Sequence, residues 1–222
     1  MGLQKKLLYS IPNLCEGRFV TRNNRFAGVL EFQGQHYSAH IHDPGRLKEL
    51  LFKGTKVLFN ESNGKLDFYI RAVRKDKEWI LLDSAQHSKI AKKLFEIMPE
   101  FSDYRSIRSE VPLGNSRIDF MLDSIPLEVK GVTLVKNNIA LFPDAPTARG
   151  RRHVEEIIKF NGILLFLIFR NAHKFGPYKH MDPQFAEKLS EARKQGINII
   201  PIHISFDGEN LFYENRINLA DF

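Results

Sequence analysis

Asp119, Glu128 and Lys130 stand within RIDFMLDSIPLEVK, residues 117–130, among positions otherwise held mostly by Ile, Phe, Met, Leu and Val. An ionised side chain in apolar company is costly unless it is neutralised, paired or bound to metal. Side chains alternate across a strand, so Glu128 and Lys130 share one face while Leu127 and Val129 take the other. Asp119 belongs to the preceding strand, and Asp123 to Pro126 supply the reversal that lays the two strands side by side. Two adjacent carboxylates repel, and one holds a proton unless a divalent cation is placed between them. Mg2+ prefers oxygen and typically takes one or two carboxylates, with waters and substrate phosphate completing its shell. Lys130 would then hold or deprotonate an attacking water, or stabilise phosphate charge. Glu110, in the run SIRSEV before a turn at Gly114-Asn115, is a further acid that could complete the cluster. The competing reading is a set of surface-strand charges, with Glu128 and Lys130 forming an exposed pair worth little.

Basic residues surround these acids. FPDAPTARGRRHVEE sets Thr147 at a helix N-cap and follows it with Arg149, Arg151, Arg152 and His153. Cations in a first turn oppose the helix dipole, whereas a phosphate there would be gripped by free N–H groups and guanidinium forks. A solvated basic turn is the alternative. His153 could assist proton transfer, although a lone helical histidine is more often structural. Arg117, beside Asp119, and Arg18, Arg22, Arg25, Arg46 and Lys48 in the N-terminal part are candidates for tracking a phosphate backbone. Phe26, Phe32, Tyr37 and Tyr69 would stack on bases if exposed, but aromatics of this spacing usually fill a core. His40, His42 and Asp43 invite a metal reading, yet Asp43 is better placed as a cap and no third ligand is near. No Gly-rich phosphate loop or Ser-His-Asp triad is evident.

The elements that must position these groups fall into two stretches. From Arg18 to Asp83, FAGVLEFQ, HYSAHI, KVLFN, LDFYIRAVR and WILLD alternate with turns. Within it, DPGRLKELLFKG predicts a short helix capped by Asp43, opened by Pro44 and ended by Gly54. About five strands with one inserted helix outline an OB-fold barrel. Ser84 to Met98 reads as an amphipathic helix with Ile90, Leu94, Phe95 and Met98 on one face. Beyond it come SIRSEVPLG, SRIDFMLD, PLEVKGVTL and NNIALF, and a helix over 148–161. The strand GILLFLIF, a helix over 183–195, the strand INIIPIHIS and a hairpin at Asp207-Gly208 complete the chain. Such an order predicts a mixed α/β domain with a partly parallel sheet.

Composition bounds the rest. The 222 residues leave room for two modest domains, and 43% hydrophobic with 27% charged residues is ordinary globular usage. Lys plus Arg exceed Asp plus Glu by 33 to 26, which favours a polyanionic partner such as nucleic acid or an acidic membrane surface. Five of the seven excess charges lie in residues 1–83. The single cysteine, Cys15, excludes an internal disulfide framework and a cysteine zinc site, and fits a reducing, cytoplasmic setting. The apolar start is too short for a signal peptide. ILLFLIF is a buried strand rather than a membrane span, which needs roughly 20 residues.

Asp119 followed by Glu128-Val129-Lys130 resembles the active-site motif of the PD-(D/E)xK nuclease superfamily, with Ile118 where the motif's name has proline. More specifically, HIHDPGRLKELL, SRIDFML, PLEVKGVTL and FPDAPTARGRRHVEE, in this order, resemble the sugar fermentation stimulation protein A family over roughly the whole chain. The resemblance implies an α/β (α+β) chain with an N-terminal OB-fold barrel over residues 1–83. A PD-(D/E)xK nuclease-like mixed-sheet domain over 84–222 would follow it. It implies DNA binding with little sequence preference, RNA being an open alternative, and a regulatory role in sugar metabolism for which the residues supply no mechanism. Onto this chain it carries Asp119 and Glu128 as ligands of Mg2+ or Mn2+, and Lys130 as the catalytic lysine. Glu110 corresponds to the extra acid that such nucleases often take from an upstream element. Two readings stand: a metal-dependent nuclease, and a non-catalytic DNA-binding regulator that keeps the scaffold. Many nuclease-fold proteins form homodimers to reach both strands, but no heptad or exposed stripe argues for that here.

Overall fold

Period-two alternation of apolar side chains builds the N-terminal strands. In the computed structural model, which describes residues 4–114 and 116–222, those strands close into a barrel. The strands are β1 (Lys6–Ser10), β2 (Cys15–Arg22), β3 (Ala27–Phe32), β4 (Gln35–Ile41), β5 (Lys56–Glu61), β6 (Phe68–Lys75) and β7 (Glu78–Leu81). Five of them run in the order β4-β3-β2-β5-β6, and β4 returns in parallel to β6 to close the ring. This is an OB-fold barrel, with Phe19, Leu30, Ile41, Phe59 and Ile70 buried in its interior.

Two features of this part differ from the sequence expectation. The fifth barrel strand is β2 rather than WILLD, which as β7 extends the β6 hairpin and reaches β15 through Trp79 opposite Phe206. CEGRFVTR buries only Phe19 fully, so its alternation reads weakly. The segment after Asp43 forms turns instead of a helix. Asp43 accepts the N–H of Gly45 (2.8 Å), Leu47 takes φ +51°, and the chain sinks Leu47, Leu50 and Leu51 into the core. A left-handed residue within the first turn ends helical propagation before it starts.

The second part begins with a 3-10 turn at Ser84–Gln86 and α1 (His87–Ile97). It continues through β8 (Ile107–Leu113), β9 (Ser116–Leu122), β10 (Ile125–Val132), β11 (Val135–Lys136), β12 (Ile139–Phe142), α2 (Ala148–Lys159), β13 (Ile163–Ile168) and β14 (Lys174–Pro177). Then come α3 (Pro183–Lys194), β15 (Asn198–Phe206), β16 (Asn210–Arg216) and β17 (Asn218–Leu219). β10, β13 and β15 are parallel neighbours, while β9 and β8 extend the sheet antiparallel. The expected turn at Gly114-Asn115 includes Asn115, which lies outside the described residues. β1 crosses from the barrel side to pair with β16. A small second sheet, β11-β12-β14-β17, flanks the main one.

Strand β13 divides the core. Its six residues are all buried, but Ile163, Leu165 and Leu167 join the cluster shared by the barrel and α1, whereas Leu164, Phe166 and Ile168 join the cluster beneath α2 and α3. The same alternation on β10 sends Leu127 and Val129 toward α1. Glu128 and Lys130 are left on the α2 side. Gly131 then permits a close approach from α1, because a Cβ there would lie 2.2 Å from Cε1 of His87. No described helix is long and apolar enough to cross a membrane.

Candidate active site

Register brings the two acids together. Leu122 pairs with Ile125, Met121 with Pro126 and Phe120 with Leu127, so the ladder continued by one residue sets Asp119 beside Glu128. Asp119 turns one oxygen inward, where Oδ2 accepts the backbone N–H of Val129 at 2.7 Å. Glu128 is 1% exposed. Its Oε1 accepts from Nζ of Lys130 and lies against Nδ1 of His153. Its Oε2 is buried with no hydrogen-bond partner among the described residues.

Helix α2 supplies the other wall. Thr147 caps it, accepting the N–H of Gly150 at 2.9 Å, and Thr147 itself donates its N–H to Asp182 Oδ2 at 2.9 Å. Asp182 also caps α3 through the N–H of Phe185. This start aims Arg149 and His153, one turn apart, at the sheet. Nε of Arg149 donates to Nε2 of His153 at 3.3 Å. Arginine has no acceptor, so Nε2 must accept and the ring proton sits on Nδ1, which donates it to Glu128.

The charges settle unequally. Burial pushes the Asp119 carboxyl up to about 6, and the negative charge of Glu128 adds to the rise. Burial also works against ionised Glu128, but the Lys130 ammonium and the His153 hydrogen bond outweigh it and hold its carboxyl below the usual range. Of the two carboxyls, Asp119 is therefore the one that takes up a proton first as the pH falls. The structure thus brings Asp119, Glu128 and Lys130 together as a half-buried, hydrogen-bonded group, which removes the exposed-pair reading.

Glu110 comes close without joining. It faces the Asp119 position, between the pairs Ser109–Phe120 and Val111–Ile118, and its charge adds to the rise of Asp119. It is exposed, and its φ is +55°. Among the described residues no three His, Cys, Asp or Glu side chains converge as a ready-made metal cage. The donor set nonetheless fits a hard cation. The buried Oε2 without a partner is an anionic ligand in waiting, and one or two carboxylates suffice for Mg2+.

The expected basic residues divide by how they are engaged. Arg149, Arg152 and Arg117 are exposed, Arg117 on the Asp119 face of β9, and Arg151 approaches Asp182 at 3.8 Å. Arg46 and Arg18 are exposed, with Arg18 donating to the Gly54 carbonyl at 3.1 Å. Arg22 instead braces the barrel loop. Its two Nη atoms donate to the carbonyls of Gly45, Arg46, Arg25 and Asp43 at 2.7–3.0 Å, which leaves its fork engaged rather than open to phosphate. His40 and His42 pack on each other and on Tyr69 instead of forming a cage. Phe32 and Tyr37 pack on Phe68, and Tyr69 donates to buried Asp83 at 2.6 Å, so of the four aromatics only Phe26 is exposed. His153 belongs to the site more firmly than its sequence context indicates. The available signal is its position four residues after Arg149 on a helix whose polar face must meet Glu128.

Fold and site together define a class: an OB-fold barrel continuous with a mixed-sheet domain that presents two carboxylates and a lysine from adjacent strands. The family models "SfsA N-terminal OB domain" and "Sugar fermentation stimulation protein RE domain" match residues 20–82 and 85–210 respectively. The chain belongs to the sugar fermentation stimulation protein family. It is 42% identical over 212 residues to a sugar fermentation stimulation protein homolog of Methanothermobacter thermautotrophicus, covering 89% of this chain and 88% of that one. A homolog of Pyrobaculum arsenaticum is 44% identical over 213 residues, covering 90% and 92%. Among solved structures, Pyrococcus furiosus SfsA in complex with Ca2+ is similar with a TM-score of 0.89 and 26% identity, over 97% of this chain and 100% of that one.

Proposed function

We propose that this protein is a divalent-metal-dependent phosphodiesterase that cuts DNA with little sequence preference, its second part serving as a PD-(D/E)xK nuclease-like domain. The observation that carries this reading is the state of Glu128: one oxygen is saturated by Lys130 and His153, and the other is buried without a hydrogen-bond partner among the described residues, on a carboxylate whose charge raises Asp119. Asp119 and Glu128 would hold Mg2+ or Mn2+, and Glu110, opposite Asp119 on the neighbouring strand, would add a water-mediated contact. Bound there, such an ion supplies Lewis acidity toward a phosphoryl oxygen and eases ionisation of water. The Ca2+ complex of the Pyrococcus furiosus relative supports the choice of a hard, oxygen-seeking cation. Lys130 shares the Glu128 face and, as an ammonium, positions the attacking water or stabilises the phosphate charge. Arg149, Arg151 and Arg152 grip the strand at the start of α2, and Arg117, Arg46 and Arg18 extend the basic track.

The test is incubation of the protein with single- and double-stranded DNA plus Mg2+ or Mn2+, beside Lys130→Ala. Metal-dependent products from the native protein alone are expected. Equal products from both proteins, or none from either, remove the enzymatic reading. An RNA of the same sequence belongs in the panel, and preferential cleavage of it overturns DNA as substrate. A second reading, a DNA-binding regulator without catalysis, is favoured by the missing third ligand among the described residues. It requires DNA affinity that survives both chelation and Asp119→Ala, with no cleavage.

A further inference from the structure

We propose that the cleft beside Lys130 takes one unpaired DNA strand, with a base stacked on Phe26. This rests on the phosphodiesterase reading and names the substrate class of that site. The cleft has a volume of about 590 Å3, and its lining includes Arg25, Phe26 and His42 from the barrel and Lys130, Arg149 and Gly150 from β10 and α2. One wall is therefore suited to phosphate, with an ammonium, a guanidinium and the start of a helix. The other wall offers an aromatic face and a further guanidinium, the combination on which single-stranded nucleic acids stack and track.

Phe26 is poised rather than loose. Its N–H donates to Asn24 Oδ1 at 2.8 Å and its carbonyl accepts from Ile41 at 2.9 Å, so its backbone is part of the barrel's hydrogen bonding. The residue is 46% exposed. An exposed phenylalanine on the barrel wall of the cleft, across from the wall that carries Lys130, matches a base face. The walls are also tied at a set spacing. The N–H of Arg46 donates to Asp144 Oδ2 at 2.8 Å, and Ser84 donates its N–H and its hydroxyl to the His42 carbonyl at 2.9 and 2.5 Å. Gly45 permits the first tie, since a Cβ there would lie 2.6 Å from Asp144 Oδ2. The acids on the cleft, Asp43 and Asp144, are turned onto the backbone N–H groups of Gly45 and Arg46. Inside a duplex every base face is covered by its neighbours, so away from duplex ends Phe26 gains a partner only from a strand whose bases are unstacked.

The experiment measures binding, so it does not depend on turnover. Fluorescence anisotropy with a labelled 12-nucleotide single strand, a blunt duplex and a duplex with a single-stranded tail is read in EDTA and in Ca2+, for the native protein, Phe26→Ala and Phe26→Trp. The single strand and the tailed duplex should bind at least 5-fold tighter than the blunt duplex. Phe26→Ala should weaken single-strand binding about 10-fold while changing blunt-duplex binding less than 2-fold, and Phe26→Trp should restore it. Equal affinity for blunt duplex and single strand, or an unchanged single-strand affinity in Phe26→Ala, overturns the proposal. Loss of cleavage by the native protein with Phe26-dependent strand binding intact would sink the phosphodiesterase reading alone.

Discussion

His153 on α2 donates its Nδ1 proton to Oε1 of Glu128 on β10, and both side chains are almost fully buried. Arg149, one helical turn earlier, fixes the direction of that bond by occupying Nε2. Lys130 shares the same Glu128 oxygen. The consequence is an oriented carboxylate: one oxygen is committed to the protein, and the other is buried without a hydrogen-bond partner among the described residues. Outer partners of this kind commonly set ligand geometry at metal sites.

Removing the outer partner should therefore loosen the metal without touching a ligand. His153→Ala is expected to weaken Mn2+ binding about 10- to 100-fold by calorimetry. His153→Asn, whose amide keeps a donor, should recover part of that loss. An unchanged affinity in His153→Ala would reduce the bond to a packing contact.

Glu110 carries a backbone conformation that disfavours a side chain, at φ +55° opposite Asp119. Such strain of order 1–3 kcal/mol persists where function requires it. Glu110→Gly should raise the midpoint of thermal unfolding or leave it unchanged despite the flexibility of glycine. Glu110→Gln should not raise it. If the carboxylate serves the site, both variants lose cleavage rate to a similar degree. A Glu110→Gly protein that is less stable and equally active would show that the conformation is incidental.

His87 gives the fold an acid-sensitive joint. Half-buried and stacked on Phe169 with 5.4 Å between ring centroids, it is pushed down to about 4 by burial, with Lys130 adding to the fall. In the unfolded chain it titrates near 6.5. Between those values the unfolded chain binds the proton and the native protein does not, so stability present above pH 6.5 is lost as the pH falls toward 4. On the order of 2 kcal/mol should disappear over that window in denaturant titrations. His87→Phe should flatten this part of the profile, and an unchanged slope would assign the acid sensitivity to other groups.

The basic start of α2 predicts a salt signature. Arg152 is exposed and Arg151 is only loosely held, 3.8 Å from Asp182. Replacing both with Ala should lower the slope of log affinity against log salt by about 2 for duplex DNA, near 0.9 for each phosphate that is no longer neutralised. A slope equal to that of the native protein would place the DNA on another face.

Much of this arrangement was legible in the residues. Glu128 and Lys130 interrupt an apolar run at alternate positions, and alternation alone assigns them to one face. Thr147, Pro183 and the apolar spacing of Ile90, Leu94 and Phe95 mark helices that the structure contains. What escaped depended on tertiary partners. DPGRLKELLFKG has helical spacing, but the left-handed Leu47 and the tie from Arg46 to Asp144 hold it as turns. β11 and β17 are two residues each and exist only because β12 and β14 lie between them. The role of His153 depends on a glutamate 25 residues away, and no local pattern announces such a pairing.

Asp119 offers the test in which stability and function should move in opposite directions. Its carboxyl is held near Glu128 in a largely buried position, and burial followed by that neighbour's charge pushes it up to about 6. At pH 7.5 it is ionised against that preference, and the penalty is present in full above its folded value and relieved as the pH falls toward the unfolded 3.8. Asp119→Asn removes the charge, while the side-chain oxygen can still accept the Val129 N–H. Without metal at pH 7.5 this variant should be about 1–3 kcal/mol more stable than the native protein. A divalent cation stabilises whichever state binds it, so 5 mM Mn2+ should raise the native midpoint and leave that of Asp119→Asn nearly unmoved. A variant that is less stable without metal, or that keeps the full Mn2+ shift, would mean that Asp119 is a structural carboxylate and that the cation, if any, is held elsewhere.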